Sequence, residues 1–144
     1  MYRRNYTPKT TEVFEDSLSG EIATKNSWKN LPMPKECQIT PLDIKIPTSA
    51  MKYIKKGHIP DEMDNWFMYC DENTIRFFRS VTGFCIYIAT YEEIGDECYL
   101  ETLTVNRDYN QYGCTDIYYD INRFMKLLTI QYGGDASEYD KGCD

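Results

Sequence analysis

The sequence predicts an α+β fold: a four-stranded antiparallel meander packed by a carboxy-terminal helix, with a short helix before the sheet and a proline-rich amino-terminal arm. Three observations carry this expectation. Aromatic and β-branched runs between residues 66 and 105 are separated by short turn signals. An apolar stripe at helical spacing follows after residue 115. Five of the six prolines fall within residues 1–47, where they bar long uninterrupted helices.

With 144 residues, 42% of them apolar and 27% charged, the chain fits one compact domain with a core of its own. The division expected is an extended arm over residues 1–47, an α+β core over 48–134 and an acidic tail over 135–144. Short apolar pieces in the arm, Val13 with Phe14 and Ile39 with Leu42, Ile44 and Ile46, are too sparse for a separate core and suit extended backbone laid against the rest.

In the core, Thr48 or Ser49 is positioned to cap a helix over Ala50–Lys56, with Lys55 and Lys56 at its negative end and Gly57 as its stop. Strands are expected at Trp66–Cys70 and Thr74–Ser80, joined through Asp71, Glu72 and Asn73, then at Phe84–Tyr91 and Glu97–Val105 after turns at Thr82-Gly83 and Gly95-Asp96. Thr115 or Asp116 caps the last helix, whose Ile117, Ile121, Phe124, Met125 and Leu128 share one face. Gly133-Gly134 ends it. Large side chains point to both faces of the sheet, so the second face needs cover from the arm with the short helix, from a second copy of the chain, or from a ligand.

Charge is unevenly placed. Residues 1–47 hold seven basic and six acidic side chains, residues 48–91 five and five, and residues 92–144 four and twelve. The net charge of -7 disfavours duplex nucleic acid as a direct partner, because phosphates are repelled at long range. Glu92, Glu93, Asp96 and Glu97 cluster at one turn; they form either a solvated face or a surface that docks on a basic protein. No apolar run approaches the length of a membrane span, and the polar amino terminus lacks the apolar stretch of a secretory signal. A cytoplasmic location is therefore expected, with Cys37, Cys70, Cys85, Cys98, Cys114 and Cys143 as reduced thiols. Their spacing and the single histidine give no zinc pattern, and no motif implies a cofactor.

The most informative stretch runs from Ile75 to Tyr87. Two arginines interrupt an aromatic strand that breaks at Ser80-Val81-Thr82-Gly83. Alternation places Arg76 and Arg79 on opposite faces. Arg79, beside the hydroxyls of Ser80 and Thr82 and the backbone at Gly83, has the donors for an anion site; the competing reading is an internal salt bridge to Asp61, Glu62 or Asp64. Upstream, His58 with Asp61 and Asp64 has the residue types of a proton-transfer site, and equally those of an ordered loop.

The run from Ile59 through the Trp66-Phe67 strand, followed by Ile75–Tyr87, resembles a small uncharacterised bacterial and phage domain family with an acidic lead-in, a Trp-Phe strand and an Arg-Ser-x-Thr-Gly turn. The resemblance covers residues 48 to 105. Members occur alone or attached to proteins of ADP-ribose or nucleic-acid-base chemistry, and Val81 stands where the family shows tryptophan. What the resemblance and the residues together imply is a non-enzymatic module. Arg79, Ser80, Thr82 and Gly83, with Arg76, would hold an anionic nucleotide or ADP-ribose-like metabolite, and Trp66 and Tyr69 would give stacking contact. The alternative is a phage-encoded inhibitor whose acidic second half occupies a basic surface on a host defence or nucleic-acid-processing protein.

Overall fold

The computed structural model describes residues 20–139; Val13, Phe14, Asp140, Cys143 and Asp144 lie outside them. Its sheet has five strands, not four: β1 (Cys37–Pro47), β2 (Trp66–Asp71), β3 (Thr74–Arg79), β4 (Cys85–Ile94) and β5 (Glu97–Asn106). Strands β2 to β5 form the expected antiparallel meander, and β1 adds antiparallel to β5, for a spatial order β1-β5-β4-β3-β2. The extra strand comes from the end of the proline-rich segment. Leu42, Ile44 and Ile46 alternate toward the core, while Pro41 and Pro47 sit in an edge strand, where a missing N–H costs no ladder bond on the open side. A break in register between Pro41 and Ile44, with Asp43 at φ 52°, bends this edge.

The hairpin turns follow local chemistry. Asp71 pairs with Thr74, so Glu72 and Asn73 form a two-residue loop, both at positive φ, as a type I′ turn demands. Between β4 and β5 the loop is Gly95-Asp96, with Gly95 at φ 60°.

Two helices cover one face. A 3-10 turn over Thr48–Ala50 runs directly into α1 (Met51–Lys56). Neither Thr48 nor Ser49 caps it with a side chain, contrary to expectation, because the turn carries helical backbone straight into α1 and the Met51 N–H reaches the Thr48 carbonyl. The long helix α2 (Ile117–Gln131) starts at Asp116, whose carboxylate accepts from the N–H groups of Tyr118 and Tyr119 at 3.0 and 3.3 Å. Phe124, Met125, Leu127 and Leu128 bury its inner face against Ile75, Phe77, Ile86, Tyr87 and Leu103. Gln131 ties the helices by donating to the carbonyls of Tyr53 and Gly57 at 3.0 and 2.9 Å. Among the described residues no helix is long and apolar enough to cross a membrane.

The second face carries Phe67, Tyr69, Phe78 and Cys85, and the arm closes it through Ala23, Trp28 and Met33. The short helix, expected beside the arm, lies instead with α2 on the first face. Gly57 lets the arm come close. Its φ of 72° and ψ of -168° lie where only glycine is at ease, and a Cβ there would sit 2.6 Å from the Met68 carbonyl oxygen and 2.8 Å from Ala23 Cβ. Gly57→Ala is expected to cost about 1–3 kcal/mol from backbone strain alone, read as a lower urea midpoint with an unchanged slope.

The cysteines report the same packing. Burial pushes the Cys70 and Cys85 thiols up to about 12. A thiol whose pKa rises on folding contributes stability that is whole below the unfolded value of about 8.5 and is lost as pH climbs toward the folded value. Stability should therefore fall from about pH 9 upward. At neutral pH a thiol reagent should modify the exposed Cys37 while Cys85 and Cys98, both buried, react only on unfolding.

Candidate functional site

The site lies where β3 ends and β4 begins. The Arg79 N–H donates to the Phe84 carbonyl at 2.9 Å and the Arg79 carbonyl accepts from Gly83 at 2.8 Å, with Gly83 at φ 82°. The arm straps this turn from outside: the Trp28 indole donates to the Ser80 carbonyl at 2.7 Å, Lys29 Nζ to that of Val81 at 2.9 Å, and the Leu31 N–H to that of Gly83 at 2.8 Å. Beside the turn opens a pocket of about 240 Å³, lined by Asn65, Arg79, Val81, Thr82, Phe84 and Gln111.

Arg79 is half-buried there, and its guanidinium carbon stands 4.6 Å from the centre of the Trp66 ring. Among the described residues its side chain makes no hydrogen bond and no ion pair. The expected competitor, a bridge to the acidic lead-in, does not form: Asp64 is taken by His58, Nε2 to Oδ2 at 2.9 Å, and by the Asp61 N–H at 3.2 Å. Burial, and then the neighbouring Arg123, lower the Arg79 pKa.

Arg123 comes from α2. Its guanidinium carbon lies 5.1 Å from the same Trp66 ring, and it donates to the hydroxyls of Tyr87 at 3.1 Å and Tyr112 at 2.8 Å. Those hydroxyls in turn donate to Asp120 Oδ1, from Tyr87 at 2.9 Å and from Tyr112. The remaining Asp120 oxygen stands 2.8 Å from Arg107 Nη2. Burial opposes the Arg123 charge, but the oxygens of Tyr87 and Tyr112 more than offset it, so its pKa lies above the ordinary guanidinium value. Burial also raises both tyrosines. Arg107 thus has Asp120 as its ion-pair partner, while Arg79 and Arg123 lie over Trp66 with no ion pair among the described residues, a local surplus of positive charge inside an acidic protein.

The expected residues are only partly gathered. Arg79 and Thr82 line the pocket; the Thr82 hydroxyl oxygen also accepts from the Phe84 N–H at 3.2 Å. Ser80 is 4% exposed and its hydroxyl donates to the Asp64 carbonyl at 2.6 Å, so it builds the turn. Gly83 is committed to Arg79 and Leu31 through its backbone. Trp66 is 4% exposed, stacked on Tyr87 at 6.0 Å, and lies under the guanidiniums instead of open to a ligand. Tyr69 and Arg76 belong to the opposite face, Tyr69 stacked on Phe78 and Arg76 donating to the Thr74 hydroxyl at 3.0 Å. The two arginines therefore do stand on opposite faces.

Asn65, Gln111 and Arg123 were not foreseen. They come from loops and from the far helix, and only tertiary packing brings them to the strand end. The His58–Asp64 pair closes its own loop, and the nearby Ser80 hydroxyl is turned to the Asp64 main-chain carbonyl. Comparisons with protein families, curated proteins and solved structures gave no match.

The acidic turn stands at the other end of β4, ~30 Å away at about 3.3 Å per residue. Two of its carboxylates have lysine partners: Glu93 with Lys55 at 2.6 Å and Glu97 with Lys45 at 3.7 Å, Glu97 also accepting from the Tyr99 hydroxyl at 3.0 Å. Glu92 and Asp96 are exposed.

Proposed function

We propose that the chain is a binding module for a small anionic metabolite, seated in the pocket at Arg79. One observation carries this reading: a half-buried guanidinium lines a pocket with none of its donors used by described residues, beside a second guanidinium whose acidic neighbour is already shared. A desolvated, unpaired cation is costly to fold, and an anion entering the pocket offsets that cost. At about 240 Å³ the pocket falls below the ~300–1,000 Å³ of sites that enclose a drug-sized molecule. It therefore receives one charged end of a nucleotide or ADP-ribose-like compound, the remainder lying along the exposed Val81 and Thr82. No step of bond making is assigned to it.

The test is a thermal-shift screen with nucleotides and ADP-ribose derivatives on the wild type and on Arg79→Ala. Stabilisation of the wild type that is absent in the variant is the expected result. The variant should keep its fold, since the half-buried Arg79 contributes a cation–π contact of about 1–2 kcal/mol and its removal also relieves an unpaired, desolvated charge. Equal ligand-induced shifts in both proteins would reject the reading.

A further inference from the structure

We infer that the group seated at Arg79 is a phosphate monoester, and that Gln111, aimed by the buried Asn106, is its second donor; this rests on the reading of that pocket as an anion site. Asn106 is fully buried, and its amide is held at both ends. Its Nδ2 donates to the Cys85 carbonyl and to Gln111 Oε1, each at 2.8 Å, and its Oδ1 accepts from the Asp108 N–H at 2.8 Å. With Asn106 so fixed, the Gln111 carbonyl oxygen must turn toward it. The Gln111 side chain, which lines the pocket, is left with its NH₂ end, and that end finds no acceptor among the described residues.

Donors therefore predominate in the polar lining, to which the Asn65 amide adds one oxygen as acceptor and one NH₂ as donor. Arg79 offers a guanidinium fork, Gln111 an amide NH₂, and Thr82 a hydroxyl whose oxygen is already engaged by Phe84. No carboxylate is among the lining residues. Such a wall suits an oxyanion that has shed its protons, since a ligand O–H would find few acceptors. Charge decides between a carboxylate and a phosphate. Arg79 and Arg123 lie over the same Trp66 ring and neither forms an ion pair among the described residues, Asp120 being set against Arg107; two positive charges are left for the ligand to meet, as a phosphate monoester does and a carboxylate does not. Val81 and Phe84 supply the apolar side for the group that the phosphate carries.

Titration calorimetry on the full chain tests this with adenosine 5′-monophosphate, inorganic phosphate and acetate as probes. Adenosine monophosphate should bind at least about tenfold more tightly than acetate. Its affinity should fall about tenfold between about pH 7.5 and pH 5, as the phosphate takes up its second proton near pH 6. Gln111→Glu keeps the acceptor for Asn106 but sets a carboxylate in the wall, and should weaken binding tenfold or more; Gln111→Met, which removes the donor without adding charge, should weaken it less. Asn106→Asp cannot donate to Gln111 and should match Gln111→Met, the double variant losing no more than either alone. Should the buried substitution fail to fold, the two Gln111 variants decide the question. Loss of binding in Arg79→Gln with full binding in Gln111→Glu overturns the role of Gln111 and leaves the Arg79 site standing. Acetate binding as tightly as adenosine monophosphate overturns the phosphate class alone. No binding of either phosphate-bearing probe, or binding indifferent to Arg79→Gln, overturns both.

Discussion

Asp120→Ala is expected to remove about 3–5 kcal/mol of stability, the cost of stranding buried charge by deleting one partner. Asp120 is fully buried and is the one carboxylate against which Arg107 lies and toward which Tyr87 and Tyr112 turn their hydroxyls. Its removal leaves Arg107 unpaired, deprives two hydroxyls of their acceptor, and adds to the positive surplus beside Trp66. Tyr112→Phe deletes the hydrogen bond to Asp120 and the one accepted from Arg123 but removes no charge, and should cost less, about 1.5–3 kcal/mol. Urea unfolding of the two variants side by side checks both numbers; equal, small losses would mean that the network is held by packing and not by the Asp120 charge.

Phe124→Ala should be comparably damaging, at about 3–5 kcal/mol. The ring is fully buried and meets Phe77 edge-on at 5.7 Å and Tyr87 edge-on at 5.9 Å, so its loss opens a cavity between α2 and the centre of the sheet. Tyr87 also stacks on Trp66, which carries both guanidiniums. The substitution should therefore loosen the anion pocket as well as the core. Equilibrium unfolding reads the first effect, and the thermal shift given by adenosine monophosphate reads the second. An unaltered ligand response in a destabilised Phe124→Ala protein would separate the pocket from the core.

How much of this was legible depended on the range of the interaction that decides it. The meander was readable because its turns are local: Glu72-Asn73 and Gly95-Asp96 carry their own backbone preferences, and the strands between them alternate. So was α2, with Asp116 as its cap. Strand β1 was hidden by Pro41 and Pro47, although the alternation of Leu42, Ile44 and Ile46 stood in plain view; prolines that would break a central strand are tolerated on an edge. In the site, Arg79 and Thr82 could be read from the turn chemistry. Trp66 and Tyr69 were grouped as neighbours in sequence, yet a separation of three along a strand sends them to opposite faces. A signal for the buried network existed in α2, where Asp120 falls four residues before Phe124, within the apolar stripe. Its partners Arg107 and Tyr112 sit in an irregular connection, and no periodicity points to them.

Nuclear magnetic resonance of the arginine side chains shows whether ligand meets Arg79, by following the Nε–Hε signals of Arg79 and Arg76 as adenosine monophosphate is added. A ligand seated against the free guanidinium should shift the Arg79 signal to saturation and leave that of Arg76, on the far face, in place. An Arg79 signal unmoved at saturating ligand, or one moving in step with Arg76, would contradict the account.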